Sequence, residues 1–142
     1  MIDLGAWLAA QGNRRREPGI WDCCAMPAQW AIDNGWPDPM AHWRGAYGTE
    51  EGALALIRDA GGLTELFRCG MASAGITERR GDLQPGDIGV LVVGEHEAGA
   101  IFTGRRWAMV AQRGLAVASV ENEAVSAAWS VAWAKPLEPS SP

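Results

Sequence analysis

Histidine is scarce in this chain. Only two occur, His42 and His96, beside three cysteines, Cys23, Cys24 and Cys69. An odd cysteine count without a spaced framework argues against a disulfide scaffold, and a bridge between the neighbours Cys23 and Cys24 would be strained. There is no C-x-x-C pair, and a zinc site drawn from Cys23, Cys24, His42 and His96 has no recognised spacing. Neither a metal nor a cofactor is therefore expected. No basic and then apolar stretch follows Met1-Ile2-Asp3, so a signal peptide is not expected either. The longest strongly apolar run, Ile88–Val93, is far too short to span a bilayer. Positive charge is also in deficit: 12 basic against 17 acidic residues leave a net charge of −5, which disfavours binding to nucleic acid or to an anionic membrane. The run Arg14-Arg15-Arg16 is followed at once by Glu17 and reads as a solvated loop, or as a source of positive potential near Cys23. Internal repeats and low-complexity blocks are absent. These features point to synthesis in a reducing cytoplasm without export by a signal peptide.

What is present is a chain of 142 residues, the size of one domain. Such a domain buries about 68% of its unfolded surface. It is expected to span 1–135, with a loose Pro/Ser tail at 136–142. Eight tryptophans are spread along it. They read as a Trp-rich core, because large aromatics dominate core burial; the alternative is that some lie on a surface that docks a partner.

The first half has helical periodicity. A helix is expected over 2–11, where Leu4, Trp7, Leu8 and Gln11 share a face. A second should start near Asp22 and stop at Asn34-Gly35, with Pro27 distorting its first turn or delaying its regular part. Thr49 caps a third helix, with Glu50 and Glu51 at its positive end and Gly61-Gly62 at its stop. Thr64 is expected to cap a fourth. After Gly75 the character changes. Gln84-Pro85-Gly86-Asp87 is a turn, and strands are expected over 88–93, 98–103, 107–112, 115–120 and 129–134. Helices first and strands second indicate an α+β fold, with the helices packed on an antiparallel sheet or small barrel of about five strands. Trp129 should be buried on the closing strand, in alternation with Ala128 and Ser130.

One run carries chemistry. Trp21-Asp22-Cys23-Cys24 places a thiol at the start of a helix. The first turn of a helix has unpaired N–H groups and about half a positive charge. A thiolate there is stabilised, so the cysteine becomes more nucleophilic at neutral pH. Cys23 is thus a candidate nucleophile, or else a small buried hydrophobe. Asp22 reads as a helix cap in either case.

On Trp21-Asp22-Cys23, the turn Pro85-Gly86-Asp87-Ile88 and the strand end Ala100-Ile101-Phe102-Thr103-Gly104, the chain resembles the NlpC-like branch of papain-fold cysteine hydrolases, which cleave peptides in bacterial cell walls. Nearly end to end, it is similar to a small family of tailed phages and prophages. That likeness rests on Trp21-Asp22-Cys23, Gly35-Trp36-Pro37-Asp38-Pro39, Tyr47-Gly48-Thr49, Gly52-Ala53, Gly86-Asp87 and Ala128-Trp129-Ser130-Val131. The resemblance implies a phage tail-tip or tail-assembly component, made in the bacterial host cytoplasm and assembled into the virion tail. Its implied partners are other tail proteins, hub or tip, and peptidoglycan.

The strand that carries the catalytic histidine in the peptidases departs from their pattern here. Counting back from Gly104, the expected position is Ala98. His96, two residues earlier, is the candidate general base, with His42 in the loop after Trp36 as a further candidate. Gln112 is the nearest polar residue that could orient a base. A cysteine without a base loses the proton acceptor that activates it. Two readings follow: a structural module of a tail tip with weak or no activity, or a cysteine endopeptidase or amidase acting on peptidoglycan during DNA entry.

Overall fold

All four helices form, and local chemistry explains most of their ends. The computed structural model describes residues 2–131; the expected tail at 136–142 and residues 132–134 of the last expected strand lie outside them. Helix α1 spans Leu4–Ala10, and the Asp3 carboxylate accepts from the Gly5 N–H at its start. Helix α2 spans Ala25–Asp33. Helix α3 spans Glu50–Ala60, opened by Thr49, whose hydroxyl accepts from the Gly52 N–H, and closed by Gly61 at φ 93°, a left-handed conformation natural to glycine. Helix α4 spans Leu63–Ser73.

The expected cap of α4 needs correction. Gly62, not Thr64, occupies the cap position and makes no side-chain cap bond. The Leu63 N–H is taken instead by the Glu97 carboxylate, which reaches over from the sheet at 3.2 Å. Thr64 lies within the first turn, and its hydroxyl pairs with that of Ser126 at 2.7 Å.

The sheet has five antiparallel strands in the order β4-β3-β2-β1-β5. They are β1 (Ile88–Val93), β2 (His96–Phe102), β3 (Trp107–Val110), β4 (Leu115–Ala118) and β5 (Val125–Trp129). Among the described residues β4 and β5 do not pair with each other, so the sheet is open rather than a closed barrel. The closing strand begins at Val125, four residues earlier than expected at 129. Small residues (Ser126, Ala127, Ala128) gave no strand signal; pairing with β1 makes the strand, with a register shift at Val90/Leu91. The outer edge of β5 is covered by 77–79: the Arg79 N–H donates to the Ala128 carbonyl and the Ser130 N–H to the Thr77 carbonyl.

The two faces of the sheet differ. Ile88, Val90 and Ile101 join Trp21, Met26, Trp30, Leu63, Phe67 and Trp129 in the main core under the helices. Leu91, Ala100 and Trp107 form a smaller cluster on the opposite face. A side chain on Gly89 would collide with the Trp107 ring at 2.6 Å, so this glycine lets the indole lie flat across β1. Trp7, Trp21, Trp30, Trp107 and Trp129 are all buried, as a Trp-rich core requires. Trp36 and Trp43 are half-buried, and Trp133 lies outside the described residues.

Candidate active site around Cys23

The chain enters the site through a tight turn. Glu17 and Trp21 exchange backbone hydrogen bonds at 2.8 Å each. Gly19 takes φ 83° at the tip, and a side chain there would meet the Tyr47 carbonyl oxygen at 2.4 Å. The turn delivers Asp22 into the interior, 4% exposed. Both carboxylate oxygens are filled. Oδ1 accepts from the N–H groups of Cys24 (3.0 Å) and Ala25 (2.8 Å); Oδ2 accepts from the Gly19 N–H (2.8 Å) and the Tyr47 hydroxyl (2.6 Å). This side chain closes the start of α2, as a cap does, while Cys24 occupies the cap position itself. Pro27 falls on the third residue of the helix, where an N–H has no helical partner to lose. Its awkward spacing from Cys23 is resolved because Cys23 precedes the regular turns.

Cys23 is therefore just before the N-terminus of α2 and partly exposed, with Cys24 buried behind it. Its carbonyl leans on β2 so closely that a side chain on Gly99 would overlap it at 2.1 Å, and the same side chain would meet the Phe67 ring at 2.5 Å. The Cys24 thiol and the Gly99 backbone N–H lie on the Cys23 side of the site and favour its thiolate. The Cys24 thiol is the main cause that holds the Cys23 thiol below its ordinary pKa. Burial opposes it, the Gly99 N–H and the Arg16 charge assist, and the Asp22 charge opposes. Cys24 moves the other way: the neighbouring Cys23 and its burial push it well above the ordinary thiol range. Tyr47 is raised too, by burial first and by its bond to Asp22 second.

Tryptophan packs the rear of the site. Trp7 meets Trp30 edge-on at 5.2 Å and Trp21 at 6.3 Å, and the Arg14 guanidinium lies 3.7 Å above the Trp21 ring. The arginine run is thus partly engaged: besides Arg14, Arg16 pairs with Glu50. Two apolar clefts adjoin Cys24, and both are lined by Met40, Trp43 and Leu66.

The other expected residues are elsewhere. Strand alternation puts Glu97, Gly99 and Ile101 on the helix side and His96, Ala98 and Ala100 on the far side. His96 is exposed at the β1–β2 hairpin, opposite Val93, and is not brought to Cys23. Ala98 shares that far face, so the β2 residue against Cys23 is Gly99. His42 is exposed and packs edge-on to Trp43 at 6.0 Å. Gln112 is exposed at the β3–β4 turn, where its carbonyl accepts from the Arg16 N–H at 3.1 Å. Of the five expected site residues, only the neighbours Asp22 and Cys23 lie together at the site. Sequence reasoning missed Tyr47, Gly19 and Gly99 as parts of the site; the one available signal was the Tyr47-Gly48-Thr49 motif. Among the described residues no group of three or more histidine, cysteine or acidic side chains is placed to hold a metal ion.

A family model described as a domain of unknown function, DUF6950, matches residues 2–131, and the chain belongs to that family. No curated protein and no solved structure matches it.

Proposed function

We propose that this DUF6950 member is a component of a phage tail tip or tail assembly, built on an NlpC-like, papain-type frame and without useful hydrolase activity of its own. The observation that carries the negative half is the environment of Cys23. Cys24, Gly99, Asp22 and Arg16 influence its thiol, and both imidazoles lie elsewhere, His96 at the β1–β2 hairpin opposite Val93 and His42 against Trp43. Asp22 cannot substitute as base, since all its hydrogen-bonding positions near the site are occupied by donors. Amide cleavage needs a proton taken from the nucleophile and returned to the leaving amine, and general acid–base help of that kind contributes 10²–10⁴-fold. The assembly half rests on the motif resemblance, with other tail proteins as partners.

A second reading keeps the site active as a peptidoglycan endopeptidase or amidase, with Cys23 as nucleophile. The depressed Cys23 thiol favours it. Digestion of bacterial cell-wall peptidoglycan by wild type and Cys23→Ala separates the two. The expected result is equal, negligible peptide release by both. Robust release by wild type that the substitution abolishes would establish the second reading and call for a base supplied from elsewhere. The tail assignment is tested by mass spectrometry of purified virions encoded by the same prophage or phage; absence of the chain from the particle and from tail intermediates would remove it.

A further inference from the structure

Residues 14–16 lie alongside the β3–β4 turn as a short added strand. The Arg16 N–H donates to the Gln112 carbonyl at 3.1 Å and the Gly114 N–H to the Arg14 carbonyl at 2.8 Å, which makes Arg15 and Arg113 an antiparallel pair. Both bonds are made by their neighbours, so the two arginines form the non-hydrogen-bonded kind of pair. In such a pair the Cα atoms stand only about 4.5 Å apart and the side chains leave the same face together. The placement is tight: Gly114 takes φ 70°, and a side chain on it would meet the Gly12 carbonyl oxygen at 2.5 Å. Alternation sends Arg14 and Arg16 to the other side, where Arg14 covers the Trp21 ring and Arg16 pairs with Glu50.

Arg15 and Arg113 have no such relief. Both are exposed. Among the described residues no carboxylate, the nearby Glu17 included, forms an ion pair with either. Like charges directly opposite each other on paired strands are destabilising. The backbone of Arg15 is open as well. Its N–H and carbonyl point away from Arg113, along the outer edge, and neither has a hydrogen-bond partner among the described residues.

We propose that Arg15, Arg113 and the outer edge of residues 14–16 bind an acidic, extended segment of a partner protein, one of whose carboxylates seats between the two guanidiniums. Antiparallel alternation fixes the register. A partner residue placed opposite Arg15 exchanges both backbone hydrogen bonds with it, as in strand addition at a sheet edge. Its side chain then stands on the face that Arg15 and Arg113 share. A Glu or Asp at that place turns a repulsion into two charge-assisted contacts. A protein segment is favoured over a nucleic acid for two reasons. The net charge of −5 repels a long polyanion, and a phosphodiester backbone has no N–H to give the Arg15 carbonyl. The inference rests neither on the tail assignment nor on the chemistry of Cys23.

The test follows the isotope-labelled full chain by NMR at low salt. It is titrated with the acetylated, amidated peptide Thr-Val-Glu-Val-Thr, and separately with the same peptide carrying Gln for Glu. The amide signals of Arg15 and Arg113 should move, Arg15 most, and the Glu peptide should bind about fivefold tighter, a preference that added salt reduces. Arg113→Gln should remove that preference, whereas Arg105→Gln, at another exposed arginine, should leave it. Arg15→Glu supplies the carboxylate from within the chain, so it should raise the thermal midpoint at low salt and abolish the preference. Equal binding of the two peptides, signals that move alike at Arg105 and Arg15, or a lower midpoint in Arg15→Glu would each overturn the proposal. So would inorganic phosphate or a five-nucleotide DNA strand that moves the Arg15 and Arg113 signals at lower concentration than the Glu peptide, which would assign the pair to phosphate. Signals there that shift with the concentration of the chain alone would assign it to a second copy, and overturn the proposal equally.

Discussion

Two buried aspartates, Asp22 and Asp87, solve the same problem differently. Asp22 is held by three backbone N–H groups and one phenol, with no cation in direct contact. Asp87 is held by both arms of the Arg79 guanidinium at 2.9 Å each and by the Gln84 N–H, and is 2% exposed. Around Asp87 everything is spoken for: Arg79 also reaches Ser130, and the neighbouring Gly86 carbonyl accepts the Trp30 indole N–H at 2.9 Å. That network locks the entry of β1 to α2 and β5. The Asp22 network instead ends beside a thiol whose protonation it influences. The comparison teaches that a buried carboxylate neutralised by arginine serves the frame alone, whereas one satisfied by neutral donors keeps its charge available to a neighbour.

The sharpest way to break this comparison is to remove each carboxylate. Asp22→Ala orphans four donors at about 1 kcal/mol each, so about 4 kcal/mol of stability should be lost in chemical denaturation, and the pH profile of Cys23 alkylation by iodoacetamide should move. Asp87→Ala should cost about 3 kcal/mol, because it strands the Arg79 charge. It should leave the alkylation profile of Cys23 in the folded protein where it was. A profile shifted equally by both substitutions would erase the distinction.

Tyr47 sharpens the difference at high pH. Removing its hydroxyl in Tyr47→Phe should cost about 1 kcal/mol at neutral pH. Its folded pKa is raised above the unfolded value of about 10. The unfolded chain therefore releases this proton first, so the contribution is whole below about pH 10 and is lost as pH rises further. Denaturation midpoints measured from pH 8 to 11 should fall at the alkaline end in wild type and fall less in Tyr47→Phe. Tyr47 is the chain's single tyrosine, so tyrosinate absorbance reads its ionisation directly; ordinary titration near pH 10 in the folded protein would contradict the buried bond to Asp22.

The smallest expected change in stability, under about 1 kcal/mol, belongs to Cys24→Ser, which keeps a donor beside Cys23. Its Cys23 alkylation profile should stay near that of wild type. Cys24→Ala removes the donor and should raise the apparent Cys23 pKa, slowing labelling at neutral pH by about tenfold per unit. Identical profiles for the two variants would show that the Cys24 thiol does not support the Cys23 thiolate.

Much of the frame was legible because its signals are local. Thr49 and Gly61 bound α3 through bonds that close within a few residues. The apolar run of β1 and the helix start after Cys23 were readable for the same reason, as was the burial of Trp129. Where a distant partner decides, sequence reasoning slipped. The α4 cap comes from Glu97, 34 residues away; β5 is a strand because β1 lies beside it.

The candidate site divides along that line. The sequence by itself determined that a thiol stands at a helix start with an aspartate before it, because capping is short-range chemistry. Only the tertiary structure decided which side of β2 the helices cover. Alternation defines two faces but leaves both unlabelled, and β1, apolar along its whole length, offers no polar face to tell them apart. Packing set Gly99 against Cys23 and turned Ala98 and His96 away, and it brought Tyr47 across 25 residues to Asp22. A thiol without an imidazole is thus a property of the fold's register, which depends on how the helices seat on the sheet and on no motif in the chain.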